Sequence, residues 1–186
     1  MITRLAAAAL LLTLPGLAEA KQWVVDPARS EILFNYIRAD QPDQGRFHRF
    51  SGEGFLDLED LESTRLEIRI ESRSIDLNDD LASAFATSAE WFDSKNHPNV
   101  TYRLTDIVQT GPETFEASGE LTIRGETEQI TSPIRLTFEE GSAMARGVLT
   151  IERRDFLLGV GPSAAFVTIG PKVTVDFRLQ ATPPPE

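Results

Sequence analysis

The sequence predicts an all-β domain of about eight antiparallel strands with one or two short helices. Three observations predict it. Apolar and polar residues alternate in segment after segment, which is the period of a strand with one buried face. These segments recur at hairpin spacing between turn residues, and none repeats another. Only the stretch before Ser88 shows helical spacing, with Leu81 and Phe85 four residues apart. Polar outer and apolar inner faces on every strand suit either a closed barrel or a two-sheet sandwich. Periodicity does not choose between them, because closure is not a sequence pattern.

The first twenty residues stand apart. Arg4, the apolar run Leu5 to Leu14 and the small-x-small triplet Ala18-Glu19-Ala20 have the layout of a signal peptide. The apolar run is too short to span a bilayer. Residues 1–20 are therefore expected to be removed near Ala20, leaving residues 21–181 as one periplasmic or secreted domain. Residues 182–186, with three consecutive prolines, are expected to be a disordered tail.

Taken in order, Trp23 to Val25 and Ser30 to Ile37 read as strands joined by a turn at Asp26-Pro27, with Ile32, Phe34 and Tyr36 on one face. Ala39 to Gly45 is polar, contains proline and reads as a loop. Arg46 to Leu58 reads as a strand bent at Gly52 and Gly54. Arg65 to Glu71 is the cleanest strand, with Leu66, Ile68 and Ile70 opposite Arg65, Glu67, Arg69 and Glu71. Asp76 to Asp80 supplies caps for a short helix through Thr87.

Ser88 to Leu104 is the pivot. Trp91 and Phe92 sit in a segment too short for a full helix, and Pro98 ends any helix. Val100, Tyr102 and Leu104 then begin a new strand. An aromatic plug between two sets of strands is expected to close one end of the domain. Phe115 to Ile123, Thr127 to Phe138, Ala143 to Ile151 and Val173 to Leu179 are further strands. Pro133 marks its strand as an edge or bulged one. Gly159 to Pro171 reads as a loop with a helical turn at Ser163 to Phe166.

Composition excludes several functions. There is no cysteine, hence no disulfide, thiolate metal site or cysteine nucleophile. The net charge of −11 makes nucleic acid and anionic lipid surfaces poor partners. His48 and His97 lack ligand spacing, so no metal site is expected. No Gly-x-Ser-x-Gly occurs, no carboxylate pair stands out, and no catalysis is expected. Arg153 and Arg154 beside Asp155 read either as an ion-pair cluster at a strand end or as a contact for a phosphate or quinone head group. The aromatics read either as plain core or as the lining of an unfilled lumen. Eight strands enclose room for side chains or for one ligand. Ala117, Gly119, Ala145 and Gly147 on inner faces would leave space.

Four stretches carry a resemblance. They are Trp23-Val24-Val25-Asp26-Pro27 with Ser30 and Phe34; Ser88-Ala89-Glu90-Trp91-Phe92-Asp93 followed by Pro98; Gly119 to Gly125; and Ile151 to Phe156. Their order and span resemble the YceI-like family of secreted, lipocalin-like polyisoprenoid-binding proteins. The resemblance implies an eight-stranded lipocalin-like barrel that carries a polyprenyl chain or isoprenoid quinone as ligand, with no cofactor. The expected lining is Phe34, Tyr36, Phe55, Ile68, Phe85, Trp91, Phe92, Tyr102, Leu121, Phe156 and Phe166, with Arg153 and Arg154 at the head group. It also implies an alternative role beside a membrane b-type cytochrome and quinone system. A homodimer is a further expected form. The chain departs from the family pattern at Phe85, where many relatives carry histidine, and at Gly161 to Phe166, where many carry aromatic-rich loops.

Overall fold

The computed structural model describes residues 21–139, 141–162 and 168–184. The segment expected to be a signal peptide, and the helical turn at Ser163 to Phe166, lie outside these residues. Eleven strands form one antiparallel sheet: β1 (Lys21–Val25), β2 (Glu31–Arg38), β3 (Gln41–Phe47), β4 (Phe50–Leu56), β5 (Arg65–Glu71), β6 (Ile75–Asp76), β7 (Asn99–Gln109), β8 (Thr114–Ile123), β9 (Glu126–Glu139), β10 (Ser142–Glu152) and β11 (Lys172–Thr182). Strand β11 pairs with β1 through Val24–Thr182 and Val25–Ala181, which closes the sheet into a barrel. The choice between barrel and sandwich is thereby settled. Thr182, placed by sequence in the tail, is part of the closing strand.

Eleven strands make eight staves because three staves are broken. Strands β1 and β2 lie along the same edge of β11, interrupted by a 3-10 turn at Pro27–Arg29. Asp26 caps that turn, its carboxylate accepting from the Ala28 amide at 2.9 Å. Strands β3 and β4 follow one another across His48 and Arg49, pairing with β2 and β1 respectively. Strands β5 and β6 are likewise separated by the turn Ser72–Ser74 and pair with β4 and β3.

Two sequence expectations change here. Residues 41–45 are strand, not loop. Ala39 and Asp40 both have positive φ, 48° and 62°, and form the two-residue turn that hairpins favour. Pro42 is tolerated because its side of β3 has no partner beyond β2 at that position. The stave bends at His48-Arg49, not at the glycines. Gly52 and Gly54 are instead places of close approach: a Cβ on Gly52 would lie 2.4 Å from Ile68 Cδ1, and one on Gly54 would lie 2.7 Å from the Arg65 carbonyl.

The remaining strands keep the predicted alternation apart from one bulge in β7, but β9 is neither an edge strand nor bulged at Pro133, because it pairs with β8 in continuous register on one side and with β10 on the other. Arg124 and Gly125, both at positive φ, turn β8 into β9. Pro133 stands one residue before the β9–β10 ladder begins at Ile134, so its missing N–H costs no bond there. Cross-strand pairs such as Ser118 with Thr131, Thr122 with Thr127 and Arg103 with Glu120 hold the wet outer face. The inner faces meet in four contiguous apolar clusters.

Helix α1 (Asp80–Ala86) lies at one end, capped by Asp79, whose carboxylate accepts from the Ala82 amide. The pivot folds back beneath it through backbone bonds from Trp91 and Asp93 to the Ser88 carbonyl and from Ser94 to the Thr87 carbonyl. Ser72 pins its far end, donating from Oγ to the carbonyls of His97 and Pro98 at 2.9 and 3.0 Å. The Gly159 amide donates to the Glu90 carbonyl at 2.8 Å and ties the loop after β10 to the same end.

Candidate functional site

The barrel is not filled by its own side chains. A cavity of about 650 Å³ runs along its interior. On β10 alone it touches Ala143, Ala145, Leu149 and Ile151, roughly 26 Å of strand at about 3.3 Å per residue. It reaches the surface beside α1, where Leu81 is 83% exposed and Phe85 39% exposed. The pivot and α1 form the rim of that opening. Phe85 meets Trp91 with ring centres 6.2 Å apart, and Phe92 meets Phe47 edge-on at 5.8 Å.

Of the eleven residues expected to line the lumen, nine do: Phe34, Tyr36, Phe55, Ile68, Phe85, Trp91, Phe92, Tyr102 and Leu121. Phe156 does not. It is 1% exposed and packs behind the wall with Val100, Leu121, Ile123, Ile151 and Leu158, while Leu158 faces the cavity in its place. Phe166 lies outside the described residues. The sequence reading missed much of the remaining wall. Val173, Val175, Phe177 and Leu179 line it from β11, as their shared face already indicated. Ile107 lines it because a bulge between Leu104 and Asp106 shifts the alternation by one. No local signal announces that bulge.

The two arginines part company. Arg154 is exposed and is not on the cavity wall. Arg153 is on the wall, but its donors point into the backbone. Nε donates to the Gly170 carbonyl at 3.0 Å, Nη2 to Ile169 at 2.9 Å, and Nη1 to Gly159 at 3.2 Å and to Leu158. Burial draws its pKa down from the ordinary value, with the charge of Arg154 adding to the effect. The guanidinium ties residues 158–159 to residues 169–170 and is not presented to a head group. Elsewhere on the wall, Arg38 pairs with Asp43 at 2.8 Å, and Arg65 donates to the carbonyls of Glu62 and Thr64, each at 2.7 Å.

Half of the expected small-residue space is taken. Gly119 is covered by the Tyr102 ring, whose Cζ and hydroxyl would lie 2.5 Å from a Cβ there. Gly147 is covered by Phe177 in the same way, at 2.6 Å. Ala117 and Ala145 do face the cavity. Tyr102 touches three of the four apolar clusters and stands at the waist of the lumen. Burial pushes its hydroxyl up to about 12. Tyr36 is also pushed up to about 12, by burial first and then by the charge of Asp43. The two histidines stand on the outside, His48 bonded to Asp76 at 2.9 Å and His97 4.0 Å from Asp93.

An apolar tunnel of this size, reaching the surface beside α1 and lined by several aromatics, suits a hydrophobic guest. The same barrel recurs in known proteins. The crystal structure of Burkholderia cenocepacia BcnA superposes with a TM-score of 0.78 at 27% identity, covering 85% of this chain and 99% of that one. A polyisoprenoid-binding domain from Saccharophagus degradans, implicated in plant cell wall breakdown, superposes with a TM-score of 0.72 at 17% identity, over 87% and 98% of the two chains. A UPF0312 protein of Vibrio cholerae is 28% identical over 131 residues, which is 66% of this chain and 66% of that protein. The chain thus spans about two thirds of the length of the curated relatives it matches. The model of the YceI-like domain matches residues 23–181, nearly the whole barrel, and the chain belongs to that family.

Proposed function

We propose that this protein is an exported carrier that holds a long apolar isoprenoid, a polyprenyl chain or isoprenoid quinone, inside the barrel. The observation that carries the reading is the 650 Å³ apolar lumen running the length of the barrel and opening beside α1. The polyisoprenoid-binding neighbour from Saccharophagus degradans supports the same chemistry. The energetics are sufficient. A dozen buried methylene-sized groups at about 0.8 kcal/mol each give roughly 10 kcal/mol gross. Ordering a flexible chain takes back about 3–4 kcal/mol, which leaves roughly 6–7 kcal/mol, an affinity on the order of 10 μM. The acidic signal-bearing sequence supports export, with the charge keeping the carrier soluble.

The test is direct. An organic extract of the purified protein is analysed by mass spectrometry, and melting is followed with and without a long prenyl quinone. A stoichiometric prenyl lipid in the extract, or a rise in melting temperature of several degrees, supports the carrier. No lipid and no shift reject it.

A further inference from the structure

The lumen wall is apolar except at a few points, and these decide what else the guest carries. Three cations reach it, and each is engaged: Arg153 by backbone carbonyls, Arg38 by Asp43, Arg65 by the carbonyls of Glu62 and Thr64. Among the described residues no carboxylate lines it. A phosphate within the lumen would find the Arg153 donors spent on carbonyls and the Arg38 charge matched by Asp43, leaving only the exposed Arg65, and an ion buried without a partner is strongly disfavoured.

Two hydroxyls differ from these cations. Tyr102 faces the waist, and among the described residues its hydroxyl has no hydrogen-bond partner. Ser132 also lines the cavity, is 6% exposed, and likewise has no partner among the described residues. They lie close along the barrel. Tyr102 leans over Gly119 on β8; Ala117, the next inward residue of β8, is the register partner of Ser132 on β9. Both hydroxyls therefore face the same section of the lumen, one from each side of β8. Neither oxygen is sealed inside the wall, so each opens onto the lumen and can donate to an acceptor brought in by a guest.

We propose that Tyr102 and Ser132 form a neutral polar subsite at the barrel waist, which takes an uncharged oxygen acceptor, a ketone or quinone carbonyl or an ether, carried within an otherwise apolar guest. The inference rests on the carrier reading and sharpens it: the polar group is read deep inside by hydroxyl donors, not at the mouth by arginine. Burial supports the donor role, since a hydroxyl titrating near 12 stays protonated at any physiological pH.

Three probes of similar chain chemistry separate the possibilities: geranylgeranylacetone, geranylgeranyl phosphate and the hydrocarbon squalene, each titrated against the full-length mature chain. The ketone is expected to bind roughly threefold to tenfold more tightly than squalene, the range of one neutral hydrogen bond, and the phosphate weakest. In Tyr102→Phe, which keeps the ring, the ketone-to-squalene ratio is expected to fall to about one; in Ser132→Ala it falls part of the way. Phosphate binding tightest, or an unchanged ratio in both variants, overturns the subsite. Equal binding of ketone and squalene to the unaltered protein overturns it while the carrier stands. Binding of none of the three overturns the carrier and the subsite together.

Discussion

The guanidinium of Arg153 lies 5.5 Å from the centre of the Trp91 ring and turns its nitrogens into the carbonyls of Leu158, Gly159, Ile169 and Gly170. It joins the pivot, the loop after β10 and the approach to β11 at the open end of the barrel. Arg153→Ala would leave those carbonyls without donors and is expected to lower stability by about 3 kcal/mol. Arg153→Lys is not expected to restore it, because an ammonium cannot reproduce the planar fork. Arg154→Ala, on an exposed side chain, should change stability by no more than about 0.5 kcal/mol. Chemical denaturation of the three variants checks the set.

Both tyrosines of the chain should titrate late. Tyr36 and Tyr102 are each pushed from the ordinary value of 10.0 to about 12. In the folded protein, tyrosinate absorbance is expected to appear only near pH 12, whereas in denaturant it appears near 10. The linkage has a definite sign. The folded state holds these protons more tightly, so their contribution to stability is intact below pH 10 and is lost as the pH rises toward 12. Melting temperatures measured from pH 9 to 12 should therefore fall across the upper part of that range.

Gly119 controls the waist through the ring above it. A Cβ there would meet Tyr102 at 2.5 Å, so Gly119→Val must push the ring into the lumen. The expected cost in stability is about 1–3 kcal/mol from overpacking. Affinity for a long prenyl probe should drop about tenfold, which corresponds to 1.4 kcal/mol. Gly141→Val, at a turn with nothing within 4 Å, separates general backbone strain from this effect, and its prenyl affinity should match that of the unaltered protein.

Phe156 and Phe85 should behave in opposite ways. Phe156 is 1% exposed and behind the wall, so Phe156→Ala is expected to cost about 3–5 kcal/mol. Phe85 stands half in solvent on the rim, so Phe85→Ala should cost under about 1 kcal/mol yet weaken uptake of a prenyl ligand. Parallel unfolding and binding titrations distinguish wall support from ligand contact.

The cap of α1 offers a local test of the opening. Asp79 holds the Ala82 amide at 2.8 Å, and Asp79→Ala should cost about 1 kcal/mol. Because α1 carries Leu81 and Phe85 at the rim, hydrogen exchange of residues 82–86 should speed up selectively while that of β7 and β8 is unchanged.

Local pattern determined much of this protein by itself. Which way Ile68, Tyr102, Leu121 and Leu179 face, that a helix starts within Asp76 to Asp80 and where Arg124-Gly125 turns the chain are properties of neighbours in sequence, and alternation or turn chemistry records them. Tertiary structure alone decided the rest. Closure depends on Val24 meeting Thr182 across the whole chain, and that pairing leaves no periodic trace. The bulge that admits Ile107, the carbonyls that claim Arg153, and the ring that settles over Gly119 likewise depend on partners from other staves. Periodicity reports which face of a strand is buried; only the assembled barrel determines whether that face meets another side chain, a backbone carbonyl or open lumen.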